Sequence, residues 1–353
     1  MNQKEGLFMI KKESIDETNI IRAIACLAVI MIHITASPIT TLEKGSIHSM
    51  IFILINRSLR FATPTFIFLS GLTLFYSYED RIFKYITFLK KRFSGTLIAY
   101  GIWSIVYFLF YYALRYPLSP KMFIKNMLLA NMSYHLYFVL IITQFYIIFP
   151  MFLSVYKRFN SHIILILSLI GNLLFLKYVY IPYSDRFFMS YIFFFSYGCY
   201  VAKHIIFYKK LVEKLKYLFA IAFFSTAIYD SYLFYQYYIW KKPISNFLVN
   251  IIWILLTVFA IFFLTNIGMI INKIEGYINS ILNTIAESSY YIYLSHPLVL
   301  SITNYFLIKI GIYSITGRAI LNVIIVYGIT LSLSIGYTKF KAKRKKKIPL
   351  HSY

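Results

Sequence analysis

Histidine and arginine side chains inside apolar segments are the residues of this sequence best suited to chemistry. Arg22 and His33 lie eleven positions apart in the segment RAIACLAVIMIH. Eleven residues turn an α-helix through about 1100°, which leaves the two side chains on one stripe, about 16 Å apart along the axis. Ionisable groups are costly inside a bilayer and mark functional sites there. The pair therefore predicts a polar passage in which the imidazole is the acid–base group.

Both residues also have simpler interpretations. Arg22 can serve as a topology anchor near the cytoplasmic surface, and His33 can make an interhelical hydrogen bond. The shared stripe weakens these two interpretations when they are taken together, because a polar line on an otherwise apolar helix favours a passage filled by water or substrate.

Two further histidines occur in aromatic motifs. Tyr134 and His135 open the segment YHLYF, which continues with Tyr137, and Tyr293 and His296 lie three residues apart on one helix face in YIYLSHP. An aromatic belt at the membrane interface explains the tyrosines, but it does not explain the histidines. No role is predicted for the remaining histidines, which are His48, His162, His204 and His351.

A cluster of basic residues follows the second apolar segment. The sequence FLKKRFSG (88–95) contains Lys90, Lys91 and Arg92, and we expect it to form a loop at the cytoplasmic face. The cluster can set the membrane topology, or it can hold the phosphates of a cytosolic ligand through charge-assisted contacts.

Carboxylates contribute little to the predicted chemistry. Thr284 and Glu287 have the spacing of a capping box, which predicts that Glu287 is a helix cap and not a catalytic acid. The sequence contains no phosphate-binding loop, zinc-ligand spacing or paired-carboxylate pattern, so we expect no metal site. The few acidic residues in apolar segments argue against a carboxylate relay for proton-coupled transport.

The elements that position these residues are apolar segments long enough to cross a membrane. Of 353 residues, 60% are hydrophobic and only 14% are charged, whereas soluble proteins carry about 25% charged residues. This composition excludes a soluble globular enzyme, a disordered chain and a disulfide scaffold. It predicts an all-α, polytopic integral membrane protein. About ten transmembrane helices are predicted, at residues 19–38, 51–76, 94–114, 133–154, 161–181, 187–205, 217–239, 246–267, 284–307 and 317–338.

Smaller features complete the predicted bundle. Cys26 and Cys199 lie inside apolar segments and are predicted to be buried thiols. The Ser70-Gly71 pair predicts close contact between helices. The connection 117–132 is expected to be amphipathic and to lie outside, and the connection 268–283 is expected to be interfacial and to lie inside.

Basic residues predict the orientation of the bundle. With the N-terminus in the cytoplasm, most of the 36 Lys and Arg residues fall in inside segments, so both termini are predicted to be cytoplasmic. We assign the net charge of +24 to topology and anionic lipid, not to nucleic acid, because no soluble module remains to bind it. The chain is predicted to be one domain (1–353), with a cytoplasmic lead (1–18), a ten-helix bundle (19–338) and a basic cytoplasmic tail (339–353).

Four motifs together resemble those of a known family. The motifs occur in the order found in the membrane acyltransferase-3 family. They are the first span with Arg22 and His33, the segment FIFLSG with the basic segment that follows it, YHLYF, and YIYLSHP. The chain resembles that family over nearly its whole length. Within the family, it is similar to the short single-domain branch that includes the poly-N-acetylglucosamine intercellular adhesin membrane proteins.

The resemblance implies an activity and a location. It implies a multi-pass protein of the bacterial cell membrane that takes acyl-CoA from the cytosol as donor, with no tightly bound cofactor. The acceptor would be a hydroxyl of a surface polysaccharide or lipid-linked sugar, and the group an acetyl or succinyl type. Expected partners are membrane lipids and glycan-synthesis proteins.

The resemblance also implies roles for individual residues. Arg22 and His33 correspond to the family's essential first-span pair, and Arg92 falls in its basic cytoplasmic motif. That motif usually has arginines four positions apart, and no second arginine follows here, so Lys90 and Lys91 remain alternatives. His33 is the expected base, and a covalent acyl-histidine intermediate is the alternative.

The aromatic and late-span motifs extend the expected site. Tyr134 and His135 match the family's histidine-aromatic motif, and Tyr137 stands where tryptophan is more usual. His296 matches the late-span histidine. We expect His135 and His296 to be catalytic, and Tyr134, Tyr137 and Tyr293 to bind substrate.

Two other functions remain open at this stage. The first is an exporter of a poly-N-acetylglucosamine-type polysaccharide or a lipid-linked sugar, since members of the short branch have been given that label. The second is a lipid-sensing or assembly partner without catalysis, for which a change at His33 would have no effect.

Overall fold

The computed structural model describes residues 15–117, 119–274 and 276–347. Residues 1–14 of the predicted lead and residues 348–353 of the predicted tail, with His351, lie outside this range. Across the described residues the structure is helical and contains no strand. The helices are α1 (Glu17–Thr41), α2 (Ile47–Ser58), α3 (Ala62–Tyr78), α4 (Tyr85–Ala113), α5 (Pro120–Leu128), α6 (Tyr137–Arg158), α7 (Ser161–Tyr178), α8 (Ile192–Lys203), α9 (Ile205–Lys214), α10 (Lys216–Tyr238), α11 (Asn246–Lys273), α12 (Tyr277–Lys309) and α13 (Ile315–Lys347).

Eight segments of the described chain are long and apolar enough to cross a membrane. They are α1, the α2–α3 unit, α4, α6, α7, α10, α11 and α13. The chain is therefore an all-α, polytopic membrane protein, as the composition predicts. The other two of the ten predicted spans correspond to α8 and α12. The helix α8 has 12 residues and is only about 18 Å long, whereas α12 has 33 residues but carries many polar side chains.

The predicted continuous span 51–76 is instead two helices. The helix α2 ends at Ser58 and α3 begins at Ala62. Pro64 lies in the first turn of α3, where it has no N–H to bond to the carbonyl of Arg60. The Trp253 indole Nε1 donates to that carbonyl at 3.3 Å instead. A side chain of α11 thus satisfies a backbone group that a membrane would leave unpaired.

Two glycines set the crossing of α3 and α8. A Cβ atom on Gly71 would lie 2.1 Å from the Phe195 carbonyl oxygen, and one on Gly198 would lie 2.1 Å from the Phe68 carbonyl oxygen. The two backbones therefore touch, and only glycine fits at either position. The predicted packing role of Gly71 is confirmed. Cys199, beside this contact, is a free and buried thiol, as is Cys26.

Two local predictions are wrong. The basic segment 88–95 is not a loop but lies within α4, which begins at Tyr85. The connection 268–283, whose interfacial position remains a prediction, contains the end of α11 at Lys273 and the start of α12 at Tyr277. The capping box is also wrong, since α12 begins at Tyr277 and the Thr284 hydroxyl donates to the Ser280 carbonyl inside the helix.

The first helix is the centre of the bundle. It packs against α2, α3, α11, α12 and α13. Its stripe of polar residues consequently faces other helices and not lipid. The short helix α5 lies in the connection 117–132, between α4 and α6.

Candidate functional site

Three histidines from distant parts of the chain meet in the described structure. His33 lies on α1, His135 in the turn before α6, and His296 on α12. The His296 ring stacks on the His33 ring, with centroids 5.2 Å apart. The centroids of His135 and His296 lie 5.3 Å apart, in an edge-on arrangement. These three residues form one imidazole cluster.

The ring nitrogens of two members are oriented by their neighbours. His296 Nδ1 lies 3.1 Å from the Ile292 carbonyl oxygen, and His135 Nδ1 lies 3.1 Å from the Ser133 hydroxyl. Because a carbonyl can only accept, the proton of neutral His296 is on Nδ1, and its Nε2 has a free lone pair. The Nε2 atoms of both rings are buried and have no hydrogen-bond partner among the described residues. Buried polar atoms of this kind need a partner, which a substrate can supply.

Tyrosines surround the imidazole cluster. The Tyr134 ring lies 4.7 Å from that of His33, and the Tyr293 ring lies 5.1 Å from that of His135. The Tyr293 hydroxyl donates to the His135 carbonyl. Tyr107 was not singled out in the sequence, yet its ring lies 5.5 Å from that of His135 and its hydroxyl donates to the Leu294 carbonyl at 2.8 Å. These contacts hold the turn before α6 against α12.

A cavity of about 360 Å³ extends from this cluster toward the predicted cytoplasmic side. Tyr293, which contacts the cluster, lines the cavity, and so do Arg22, Arg92 and Glu287. Val29 lies between Arg22 and His33 on the same stripe of α1 and lines it too. We call this space the inner cavity. Arg22 thus lines the inner cavity, whereas none of the three histidines does, and the imidazole cluster meets the cavity through the Tyr293 ring.

Arg92 is the member of the basic cluster that reaches the inner cavity. Its guanidinium carbon lies 5.8 Å from the ring centroids of Phe88 and Tyr146, and its Nε is buried without a hydrogen-bond partner among the described residues. Lys90 and Lys91 are exposed on the other faces of α4 and do not line the cavity. Arg92 faces the cavity and the two lysines do not because residues 88–95 are helical, and successive residues of a helix point about 100° apart.

Glu287 is a second residue whose position the sequence analysis missed. It is exposed and lines the inner cavity, beside two arginines. The sequence contained a pattern that could have indicated this position, because Glu287, Tyr290 and Tyr293 follow one another at intervals of three and so share one helix face. In the structure all three line the inner cavity. Two guanidinium groups and one carboxylate give the inner cavity a net positive charge.

A second cavity, of about 520 Å³, lies toward the predicted outside. Tyr137 lines this outer cavity, whereas the rings of Tyr134 and Tyr293 contact the imidazole cluster. Thr63 lines both cavities, and its hydroxyl lies 3.5 Å from that of Tyr137. The Thr63–Tyr137 pair therefore separates the two spaces. Further lining residues of the outer cavity are Arg60, Tyr180, Asp185, Tyr191, Asn246, Asn250 and Trp253.

Asp230 is a buried acid that the sequence analysis did not name. Its carboxylate is fully buried on α10 and accepts from Arg57 Nε at 2.9 Å and from Arg60 Nη1 at 3.0 Å. The paired charges account for two arginines inside a predicted span, where ionisable side chains need a partner. The sequence could have indicated this ion pair, because one apolar segment contains a single acid, Asp230, and another contains two arginines, Arg57 and Arg60. The ion pair also positions Arg60 at the outer cavity.

The arrangement separates two kinds of chemistry along α1. Guanidinium groups at one end of the inner cavity can bind phosphate through charge-assisted hydrogen bonds. The imidazoles, which lie beyond Tyr293, can accept and return a proton. In the part of the chain that the structure describes, no three His, Cys, Asp or Glu side chains, the imidazole cluster included, are arranged to hold a metal ion.

Comparison with known proteins gives one family and several relatives. The acyltransferase-3 family, described as "Acyltransferase domain", matches residues 15–339. A protein of Staphylococcus aureus strain MRSA252, named "Probable poly-beta-1,6-N-acetyl-D-glucosamine export protein", is 28% identical over 303 residues, which are 79% of this chain and 81% of that protein. Proteins of the same name from strains MSSA476 and MW2 match with the same identity and coverage. No solved structure matches the chain.

Proposed function

Because the chain belongs to the acyltransferase-3 family of membrane proteins, we propose that it transfers an acyl group from cytosolic acyl-CoA to a hydroxyl of a surface polysaccharide or lipid-linked sugar. The observation that carries this proposal is the inner cavity, which is lined by two arginines and by Tyr293, whose ring contacts the imidazole cluster. The predicted location is the bacterial cell membrane.

The arginine end of the inner cavity suits the donor. Acyl-CoA carries phosphates, and Arg22 and Arg92 offer planar guanidinium groups that bind phosphate in pairs of hydrogen bonds. The unpartnered Arg92 Nε supplies a donor that the protein itself does not use. Glu287 lowers the net charge of the cavity, which keeps phosphate binding reversible so that the spent CoA can leave.

The imidazole cluster suits the transfer step. His33 takes the proton from the acceptor hydroxyl while the hydroxyl oxygen attacks the thioester carbonyl carbon. The C–S bond breaks as the new C–O bond forms, and the departing sulfur takes the proton from the His33 ring. The free Nε2 lone pair of His296 accepts a hydrogen bond from a neighbouring hydroxyl of the same sugar and so orients the acceptor. His135, held by Ser133 and Tyr293, supports the opposite side of the cluster.

Transfer by the purified full chain in lipid nanodiscs tests this proposal. Acetyl-CoA or succinyl-CoA is mixed with an N-acetylglucosamine oligomer, and both the free CoA thiol and the mass of the oligomer are followed. We expect one acyl group on the oligomer for each thiol released, with His33 required for both. An unchanged oligomer mass with every donor would contradict the proposal.

Export is the second candidate, and the names of the relatives favour it. Two cavities separated by the Thr63–Tyr137 pair are also the arrangement that a transported glycan would need. The two functions differ in one measurement. Movement of an oligomer across a sealed vesicle without any change in its mass supports export, whereas acylation in nanodiscs, which have no second compartment, supports transfer.

A further inference from the structure

A third cavity, distinct from the inner and outer cavities, lies beside the imidazole cluster on the predicted outside. It has a volume of about 250 Å³. Its polar lining consists of Tyr111, Tyr116, Asn126, Asn131, Ser133 and Tyr134. These residues come from the end of α4, from α5 and from the turn before α6. We call this space the tyrosine–asparagine pocket.

Two members of the pocket contact the imidazole cluster directly. Ser133 hydrogen-bonds His135 Nδ1 at 3.1 Å, and the Tyr134 ring lies 4.7 Å from that of His33. A ligand in the tyrosine–asparagine pocket therefore contacts the two residues that lie directly against His135 and His33, although neither histidine lines the pocket itself. By contrast, Tyr137 of the outer cavity lies outside the cluster.

The backbone brings the other four lining residues together in pairs. After α4, Arg115 is left-handed (φ +61°) and the Tyr116 N–H donates to the Tyr111 carbonyl at 3.1 Å. After α5, Ala130 is left-handed (φ +52°) and the Asn131 N–H donates to the Asn126 carbonyl at 2.6 Å. Both helices end in the same six-residue capping arrangement, in a backbone region that non-glycine residues seldom adopt.

The chemistry of the lining selects the ligand. Three phenols, two carboxamides and one serine hydroxyl donate and accept hydrogen bonds, and none of them carries a charge at neutral pH. Aromatic faces and neutral hydrogen-bonding groups suit the hydroxyl and amide groups of a sugar. Sites for drug-sized ligands usually have volumes of about 300 Å³ or more. The pocket, at about 250 Å³, is smaller and fits one sugar ring but not a sugar chain.

We infer that the tyrosine–asparagine pocket binds one uncharged, terminal sugar residue of the acceptor and holds its hydroxyl on the side of the pocket next to His33 and His135, where Ser133 and Tyr134 lie. This inference rests on the proposed function and adds the acceptor subsite and its preference for neutral sugars. The outer cavity has the charged residues Arg60 and Asp185 in its lining and is therefore less suited to a neutral sugar.

Sugar binding to the full chain in nanodiscs tests the pocket without the donor. The probes are N-acetylglucosamine, which is uncharged, glucosamine, which is cationic, and glucuronate, which is anionic. We expect N-acetylglucosamine to bind most tightly, and Asn131→Ala and Tyr116→Phe each to weaken its binding at least about tenfold, the loss typical of one or two hydrogen bonds. Neither substitution changes the capping backbone hydrogen bonds. Asn250→Ala, in the outer cavity, is the matched control and should leave the affinity unchanged.

The same variants separate this inference from the proposed function. Equal affinity in Asn131→Ala, a loss in Asn250→Ala instead, or tighter binding of glucuronate overturns the pocket assignment. If acyl transfer occurs but its KM for the sugar is unchanged in Asn131→Ala, the pocket assignment fails while the proposed function stands. If no donor is ever turned over but Asn131→Ala still abolishes sugar binding, the pocket stands and the proposed function fails.

Discussion

The imidazole rings of His33 and His296 are stacked, with centroids 5.2 Å apart and planes inclined by 25°, although one lies on α1 and the other on α12. Among the described residues, neither ring is paired with a carboxylate, so the pair differs from a histidine that an acid orients. Instead, the Ile292 carbonyl orients His296. This backbone contact leaves Nε2 of His296 available to a substrate.

Substitution of the stacked histidines should separate catalysis from folding. We expect His33→Ala to lower kcat for acyl transfer by about 100- to 10 000-fold, the contribution typical of a general base. His296→Ala should lower it less and also raise the KM for the acceptor, because His296 orients the acceptor. Initial rates of CoA release measure both. His48→Ala is the control, since His48 is exposed and contacts Thr316. Normal transfer by His33→Ala would show that another group is the base.

The guanidinium geometry at the inner cavity should matter more than its charge. We expect Arg22→Lys and Arg92→Lys each to raise the KM for acyl-CoA about tenfold, because an ammonium group cannot make the paired contacts of a guanidinium. Lys91→Gln should leave the KM unchanged, although it removes a full charge from the same helix, because Lys91 does not line the inner cavity. Equal effects from all three variants would indicate a general electrostatic role for the basic cluster.

The buried ion pair on α10 should stabilise the outer half of the bundle. Asp230→Asn removes the carboxylate that pairs with two partly buried guanidinium groups. We expect it to lower the free energy of unfolding by about 3 kcal/mol. Thermal unfolding in detergent measures the change. Asp185→Asn is the control, because the Asp185 side chain is 64% exposed. Adding Arg57→Gln to Asp230→Asn should restore part of the loss, and no recovery would argue against charge imbalance as the cause.

The contact between α3 and α8 should tolerate no side chain. Gly198→Ala places a methyl group 2.1 Å from the Phe68 carbonyl oxygen, so the helices must separate, at a cost of about 3 kcal/mol. We expect less folded protein by size-exclusion chromatography in detergent. Gly101→Ala, on α4, is the matched control, since no atom lies within 4 Å of its added Cβ. It should be neutral or slightly stabilising.

Cysteine labelling should test the predicted orientation of the bundle. Both native thiols are buried, so an introduced cysteine is the main target for a maleimide that does not cross membranes. We expect Tyr180→Cys to react in intact cells and Tyr277→Cys to react only after the cells are opened. Both positions are highly exposed, at 79% and 81%. The opposite pattern would place the N-terminus outside.

Local patterns determined the elements of the fold and part of the site. Apolar segment lengths predicted the helices, and helical periodicity put Arg22 and His33 on one stripe, because both depend only on residues close in the chain. Predictions from local patterns were wrong where a motif was assigned to the wrong secondary-structure element. Glu287 was assigned to a helix start that lies ten residues upstream, at Tyr277, and Arg92 to a loop that is a helix.

The sequence by itself determined that this chain is a helical membrane protein with basic and imidazole groups on its first helix. Only the tertiary structure decided that His135 and His296 join His33, that Arg92 and not its neighbouring lysines faces Arg22 across a cavity, and that Asp230 pairs with Arg57 and Arg60. The physical reason is that helix formation is a local property of the chain, whereas the meeting of distant side chains depends on how helices pack. That packing is set by contacts such as the one between Gly71 and Gly198, which no periodicity encodes.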